Sequence, residues 1–387
     1  MSERIHILVI GGGCGGALAH DLSLRGFRVT LVERGAILSG TTGRHHGLLH
    51  SGARYVLHDV PTARECWTEN RILRRLVPAA IEPNGGLFAA LDEDDLQHVE
   101  AFAAGCEAAG IPLRRLEPQA ARRLEPALTP RLRAAFQVPD ASMDAWRMAL
   151  SFFATAKANG ASIRPFTEVT GLRTTGRTVT GIVALDHRSG RQIEIGADLV
   201  VNAAGPWAGR ITAMIGLQLP LRPGPGVMVA VAGRLVNMVI NRLQPAGEGD
   251  IVVPQRRLSI VGTTAWLADD PDPPAPPADQ VDRLITLGAR LIPALAALPV
   301  YSAWCATRPL LDNGTDKNPM RISRAFDCLD HQVRDGWEGL VTLVGGKATT
   351  MRAMAEETAD RICRKTGIVA PCQTRDTPLL PYRCYYA

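Results

Sequence analysis

The residues Gly11-Gly12-Gly13-Cys14-Gly15-Gly16 hold glycine at the three positions of a G-x-G-x-x-G pattern: Gly11, Gly13 and Gly16. That spacing suits a dinucleotide. The first glycine permits a tight turn, the second lets a pyrophosphate approach the backbone, and the third lets the following helix pack closely on its strand. Glu33 follows at the distance where a carboxylate accepts hydrogen bonds from a ribose diol, and an acid there disfavours the 2′-phosphate of NADP. The glycines alone do not separate FAD from NAD. Two further segments favour FAD. Thr41–Gly52 is polar and broken by glycines, with small hydroxyls and backbone amides suited to a phosphate and a flavin ring. Val344–Thr350 reads as a strand-to-helix turn, and a helix N-terminus there would stabilise negative charge on a reduced ring. The His45-His46 pair has no carboxylate at ligand spacing, so no metal site is expected.

These residues need elements to hold them. Residues 5–34 read as strand, glycine turn, helix and strand, a βαβ unit with Val29–Glu33 as its second strand. An amphipathic helix is expected over 92–109, closed by Gly110, and another over 145–158, closed by Asn159-Gly160. Residues 168–195 alternate short β-rich runs with glycine turns, as a small antiparallel element would. Asp198–Ala204 is an apolar strand broken at Gly205, further strands are expected within 227–264, and Gly339–Val344 is a strand running into Gly345-Gly346. Asp269–Pro277 is so rich in proline that it must be an extended loop, with a helix after it over about 278–291.

Composition narrows the class. The chain has 387 residues, 46% hydrophobic and 21% charged, enough for two packed units. Its 43 Lys and Arg against 38 Asp and Glu leave a formal charge of +5, too mild and dispersed for a nucleic-acid partner but consistent with an anionic small substrate. No apolar run reaches the roughly 18–20 residues of a membrane span. The N-terminus enters a strand directly, so a cytoplasmic protein is expected, with attachment at the inner face of the cell membrane left open. None of the eight cysteines forms a C-x-x-C pair, which argues against a zinc ribbon or a chain-borne iron–sulfur cluster.

A set of motifs carries a family resemblance. It comprises the glycine pattern, Glu33, the block Thr42-Gly43-Arg44-His45-His46-Gly47-Leu48-Leu49-His50-Ser51-Gly52-Ala53-Arg54-Tyr55, Asn202–Gly205 with Trp207, Gly262-Thr263-Thr264, Arg308-Pro309-Leu310, and Gly345-Gly346-Lys347 with Thr349-Thr350. Together they resemble the D-amino-acid-oxidase-type flavoproteins. Within these the chain is most similar to the FAD-dependent glycerol-3-phosphate dehydrogenases, especially the large catalytic subunit of the anaerobic enzyme. The match spans nearly the whole chain.

The resemblance implies an α/β fold, with a Rossmann-like FAD-binding domain (1–85, 145–218 and 305–387) interleaved with a smaller substrate domain on a mixed β-sheet (86–144 and 219–304). It implies cofactor contacts at Gly11, Gly13, Gly16, Glu33, Arg34, Thr41, Thr42, His46, Gly47, Leu48, Val169, Ala204, Gly205, Trp207, Gly345, Gly346, Lys347, Ala348 and Thr349. Arg54, Arg308, Arg324 and Lys347 are then the candidates for an anionic substrate group, since guanidinium forks bind phosphate or carboxylate bidentately. His50 is the candidate general base, because an imidazole titrates near neutrality; His46 and Tyr55 are weaker ones. Pro225-Gly226 stands where the family often has a Lys-Gly pair, one cation fewer. The implied reaction is oxidation of sn-glycerol 3-phosphate to dihydroxyacetone phosphate by hydride transfer to FAD. The alternatives are oxidation of a 2-hydroxy acid such as 2-hydroxyglutarate, or a flavin-holding electron-transfer subunit. The anaerobic large subunit usually continues into a cysteine-rich domain; no such domain is expected here, and a separate electron acceptor, a quinone or a partner subunit, is expected instead.

Overall fold

A computed structural model describes residues 4–311, 319, 322 and 325–387. The His6–Ile10 strand is buried along its whole length. It pairs in parallel with Arg28–Glu33 on one side and Leu199–Asn202 on the other. Ser162–Pro165 and Leu340–Gly345 extend these flanks, also in parallel, and Phe326–Asp330 closes the six-stranded sheet as an antiparallel edge. Strands covered on both faces must be apolar on both, and alternate residues show where each face goes. Ile7 and Val9 pack among the helices Cys14–Leu24, Ala145–Ala158 and Met351–Thr366. Leu8 and Ile10 pack instead against Val169, Val179, Ile182 and Ala184. These belong to a three-stranded antiparallel sheet, Thr167–Thr175, Thr178–Asp186 and Arg191–Gly196.

A second, eight-stranded sheet runs in the order Val300–Leu311, Leu221–Ala232, Leu258–Gly262, Ile251–Gln255, Val239–Arg242, Gly86–Ala90, Ala134–Val138, Arg114–Leu116. Its pairs are antiparallel except for Val239–Arg242 with Gly86–Ala90, so the sheet is mixed, as expected. Alternation decides its faces too. Val227, Val229 and Val231 pack under the Ala278–Leu291 helix, through Leu284 and Leu291. Met228 and Ala230 point the other way, with Ile260 and Ala306.

Most expected elements fall within a residue or two of their places. One differs. The helix expected over 92–109 is two pieces, Glu93–Leu96 and Val99–Ala109, with Gly110 in the left-handed conformation at the end. At the break the buried Asp95 carboxylate turns inward to accept from the Leu91 N–H and from Arg242. No described helix is long and apolar enough to cross a membrane.

Candidate active site

A cavity of about 770 Å³ lies between the C-terminal ends of the parallel strands and the Met228–Ala306 face of the mixed sheet. Open α/β sheets place ligands at those strand ends, and the volume falls in the roughly 300–1,000 Å³ range of small-molecule and cofactor sites.

At one end, the glycine turn leaves no room for side chains. Gly11 has φ +105°, and a Cβ there would lie 2.6 Å from the Ala203 carbonyl oxygen; a Cβ on Gly13 would lie 2.6 Å from Thr42 Oγ1. The Cys14–Leu24 helix that follows has no side-chain cap and no acid in its first turn, so its N-terminus suits an anion. Glu33 holds the turn from the other side: its Oε2 accepts from the Gly12 N–H at 2.7 Å and its Oε1 from the Gly35 N–H at 3.0 Å. Gly16 corrects the sequence reading. Its missing side chain faces the Phe153 ring at 2.8 Å, so it brings two helices together, whereas Gly15 is the glycine that meets the strands, at Val9 and Leu31.

The other end is cationic. Arg54 is held by the buried Asp250 at 2.6 Å and by Asn241 Oδ1 at 3.3 Å. Burial opposes the Arg54 charge, but Asp250 outweighs it and the guanidinium pKa is raised. Arg308 Nη2 donates to Thr263 Oγ1 at 2.8 Å and to the Thr264 carbonyl, while Nη1 donates to the Gly224 and Pro225 carbonyls. A Cβ on Gly226 would lie 2.3 Å from the Thr264 carbonyl oxygen and 2.6 Å from Arg308 Nη1, so glycine lets that carbonyl and the guanidinium come close to the strand. Lys347 Nζ is buried and has no hydrogen-bond partner among the described residues; Glu65 lies 3.9 Å away and the Tyr55 ring 5.4 Å away. A buried ammonium left so is costly unless an anion completes its contacts.

Four histidines line the cavity, His45, His46, His50 and His58. His45 Nδ1 accepts from the Gly47 N–H and His46 Nδ1 from the Leu48 N–H, so each neutral ring carries its proton on Nε2. His50 donates its backbone N–H to Thr349 Oγ1, and its ring lies 5.4 Å from that of Tyr55. Burial, then His46, Arg54 and Lys347, drives the His50 pKa well below its ordinary value, so the imidazole is neutral at neutral pH.

Of the residues singled out from the sequence, His50, Arg54, Arg308 and Lys347 all line the cavity, as do Gly11, Gly13, Glu33, Arg34, Thr41, Thr42, His46, Leu48, Val169, Ala204, Gly205, Trp207, Gly345, Gly346, Ala348 and Thr349. Gly16 and Gly47 are not among the lining residues. Gly47 has φ +82° and its carbonyl accepts from Gln255 Nε2 at 3.1 Å, which shapes the turn behind His46. Arg324 lies outside the described residues. Sequence reasoning missed His45, His58, Thr263, Arg210 and Met228, which also line the cavity. For His45 the signal was its neighbour His46. For Met228 it was strand alternation and for Thr263 the Gly262-Thr263-Thr264 motif; His58 and Arg210 carry none without the fold.

The glycine cradle, the uncapped helix and the buried Lys347 ammonium, with no hydrogen-bond partner among the described residues, fit FAD. Comparison with known proteins agrees. Residues 6–361 match the model of the DAO family, FAD dependent oxidoreductase. The chain is 42% identical over 381 residues to one subunit of the anaerobic glycerol-3-phosphate dehydrogenase of Escherichia coli, covering 98% of this chain and 70% of that protein. It is 41% identical over 393 residues to a subunit of the enzyme of the same name in Haloferax volcanii, covering 98% and 67%. Its fold matches the FAD-complexed glycerol-3-phosphate dehydrogenase of Bacillus halodurans with a TM-score of 0.74 at 23% identity, over 98% of this chain and 68% of that one. The chain therefore belongs to the DAO family of FAD-dependent oxidoreductases.

Proposed function

We propose that the chain oxidises sn-glycerol 3-phosphate to dihydroxyacetone phosphate. The observation that carries this reading is that Arg54, Arg308 and the buried Lys347 ammonium, which has no hydrogen-bond partner among the described residues, line one cavity with a neutral His50. Its relatives of 41–42% identity bear that substrate in their names. Gly11, Gly13, Glu33, Thr42 and the two uncapped helix N-termini at Cys14 and Met351 would hold the cofactor. Bound FAD would supply the acceptor for a hydride, two electrons with one proton. The arginines hold the phosphate end, and the carbinol carbon is thereby fixed for transfer. His50 takes the hydroxyl proton, which its depressed pKa leaves it free to do at neutral pH. Met228 and Ala306 form the apolar wall that limits water around the reacting carbon.

The two sheets support a division into a cofactor unit (1–85, 145–218, 305–387) and a substrate unit (86–144, 219–304). The six-stranded sheet draws wholly on the first set, and the eight-stranded sheet on the second apart from residues 305–311, the larger part of Val300–Leu311. Electrons leave to a separate acceptor, a quinone or partner subunit, with the protein in the cytoplasm or at the inner membrane face. The test is a panel of substrates under anaerobic conditions, followed by flavin bleaching. Fast bleaching by glycerol 3-phosphate and slow bleaching by glycerol and 2-hydroxyglutarate is expected; fastest bleaching by 2-hydroxyglutarate would overturn the assignment.

A further inference from the structure

The proline-rich stretch Asp269–Pro277 takes no part in this chemistry, yet it touches the site. It follows the segment that brings Thr263 to Arg308, and it ends where the Ala278–Leu291 helix begins. Between those points Asp272 reaches the nucleotide end of the cavity. Its Oδ1 accepts from Trp207 Nε1 at 2.7 Å and from Arg34 Nη2 at 3.2 Å, and its Oδ2 accepts from Arg210 Nη1 at 2.9 Å. Asp270 takes the second Arg210 nitrogen at 2.9 Å and also accepts the Asp272 N–H at 2.7 Å. The Arg34 guanidinium lies 4.5 Å from the Trp207 ring centre. Arg34, Trp207, Arg210 and Pro273 all line the cavity.

We propose that Asp269–Pro277 is a strap across the nucleotide mouth, and that Asp272 is the positioning residue through which it sets how slowly FAD leaves. The inference rests on the FAD reading and extends it to residues of the opposite sheet's connections. Three donors from two separate segments, Arg34 after one parallel strand and Trp207 and Arg210 after another, converge on one carboxylate. Prolines at 271, 273, 274, 276 and 277 fix φ along the strap, so little conformational freedom is lost when it docks. Pro271 is buried between the two acids and anchors it. Asp272 is half-exposed, so each contact alone is weak. A set of weak contacts on one carboxylate closes the mouth, yet it opens more readily than any core element. That combination suits a part that must admit the cofactor once and then retain it.

The test is the rate of FAD release from the holoenzyme, followed by flavin fluorescence with a trap for free FAD. Asp272→Asn should release FAD about tenfold faster, as losing several weak, coupled contacts implies. Asp272→Glu should fall between the two, and Asp279→Asn, an exposed acid on the next helix, should match the wild type. Raising the salt concentration should speed release from the wild type and hardly change it in Asp272→Asn. Arg210→Gln approaches the contact from the other side, and its effect should not add to that of Asp272→Asn. Unchanged release in Asp272→Asn, equal acceleration by Asp279→Asn, or a lowered melting point of the FAD-free Asp272→Asn protein would each overturn the strap. These readouts need no substrate. Failure to oxidise glycerol 3-phosphate would overturn the proposed function and leave the strap standing, whereas a chain that binds no FAD would overturn both.

Discussion

The two ends of the cavity both present arginines, and they hold them in opposite ways. At the cationic end Arg54 is 10% exposed and its partner Asp250 is 1% exposed. At the nucleotide mouth Arg34 and Arg210 are 44% and 47% exposed, and they share a carboxylate that is itself 48% exposed. Water screens the second set, so each pair there is worth little. Removing one member of the first leaves a buried group unpaired, and that is expensive. The same residue type is therefore held in a buried pair in one place and in screened, half-exposed pairs in the other, and burial makes the difference.

Arg308→Ala should give the largest effect. Losing one partner of a desolvated, hydrogen-bonded charge pair costs about 2–5 kcal/mol, so kcat/KM on glycerol 3-phosphate should fall roughly 30-fold to several thousandfold. Arg308 also holds the Gly224, Pro225 and Thr264 carbonyls, so some loss would follow from structure alone. An uncharged polyol measures that part. If both substrates lose equally, Arg308 supports the fold and the contrast between the two ends collapses. Arg308→Lys should recover only part of the activity, since a point charge cannot reproduce the fork.

Glu33→Ala should come next. It takes a charged acceptor from the Gly12 and Gly35 N–H groups as well as from the cofactor. A weakening of FAD binding by about 1.5–3 kcal/mol is expected, read by titrating FAD into the apoprotein, with turnover of the loaded enzyme largely kept. Lost turnover at unchanged FAD affinity would give Glu33 a different role.

A smaller change is expected for Arg34→Gln. It removes one exposed member of the Asp272 cluster, worth at most about 1 kcal/mol, so FAD release should quicken only a few-fold. An effect as large as that of Arg308→Ala would show that the mouth is as rigid as the cationic end.

The finest test uses pH. An imidazole with an ordinary pKa of 6.5 would be half protonated at that pH, and a base would lose about twofold in kcat/KM. Because the folded His50 pKa is lowered, the neutral form persists, and kcat/KM should stay level through pH 6.5 and fall only well below it. The same sign holds for stability. His20 is buried with its pKa lowered to about 4, so stability is complete above 6.5 and is lost as the pH falls from there toward 4. A rate midpoint at 6.5 would place His50 in contact with water and remove it as the buried base.

The sequence by itself determined the βαβ unit, the nucleotide turn, the acid that faces it and most of the strands and helices. Each rests on local chemistry: a positive φ at Gly11, an apolar run at His6–Ile10, a period of two in Val227–Val231. It also carried Arg54, Arg308 and Lys347, because each lies within a contiguous motif. The tertiary structure alone decided how each cation is partnered. Asp250 is 196 residues from Arg54, and Gly226 clears the path of Arg308 from a neighbouring strand. It also decided that Gly16 serves helix packing and that the extended proline loop sets Asp272 against Trp207. Such contacts join residues far apart in the chain through register and packing, and neither leaves a periodic or spaced trace in the sequence.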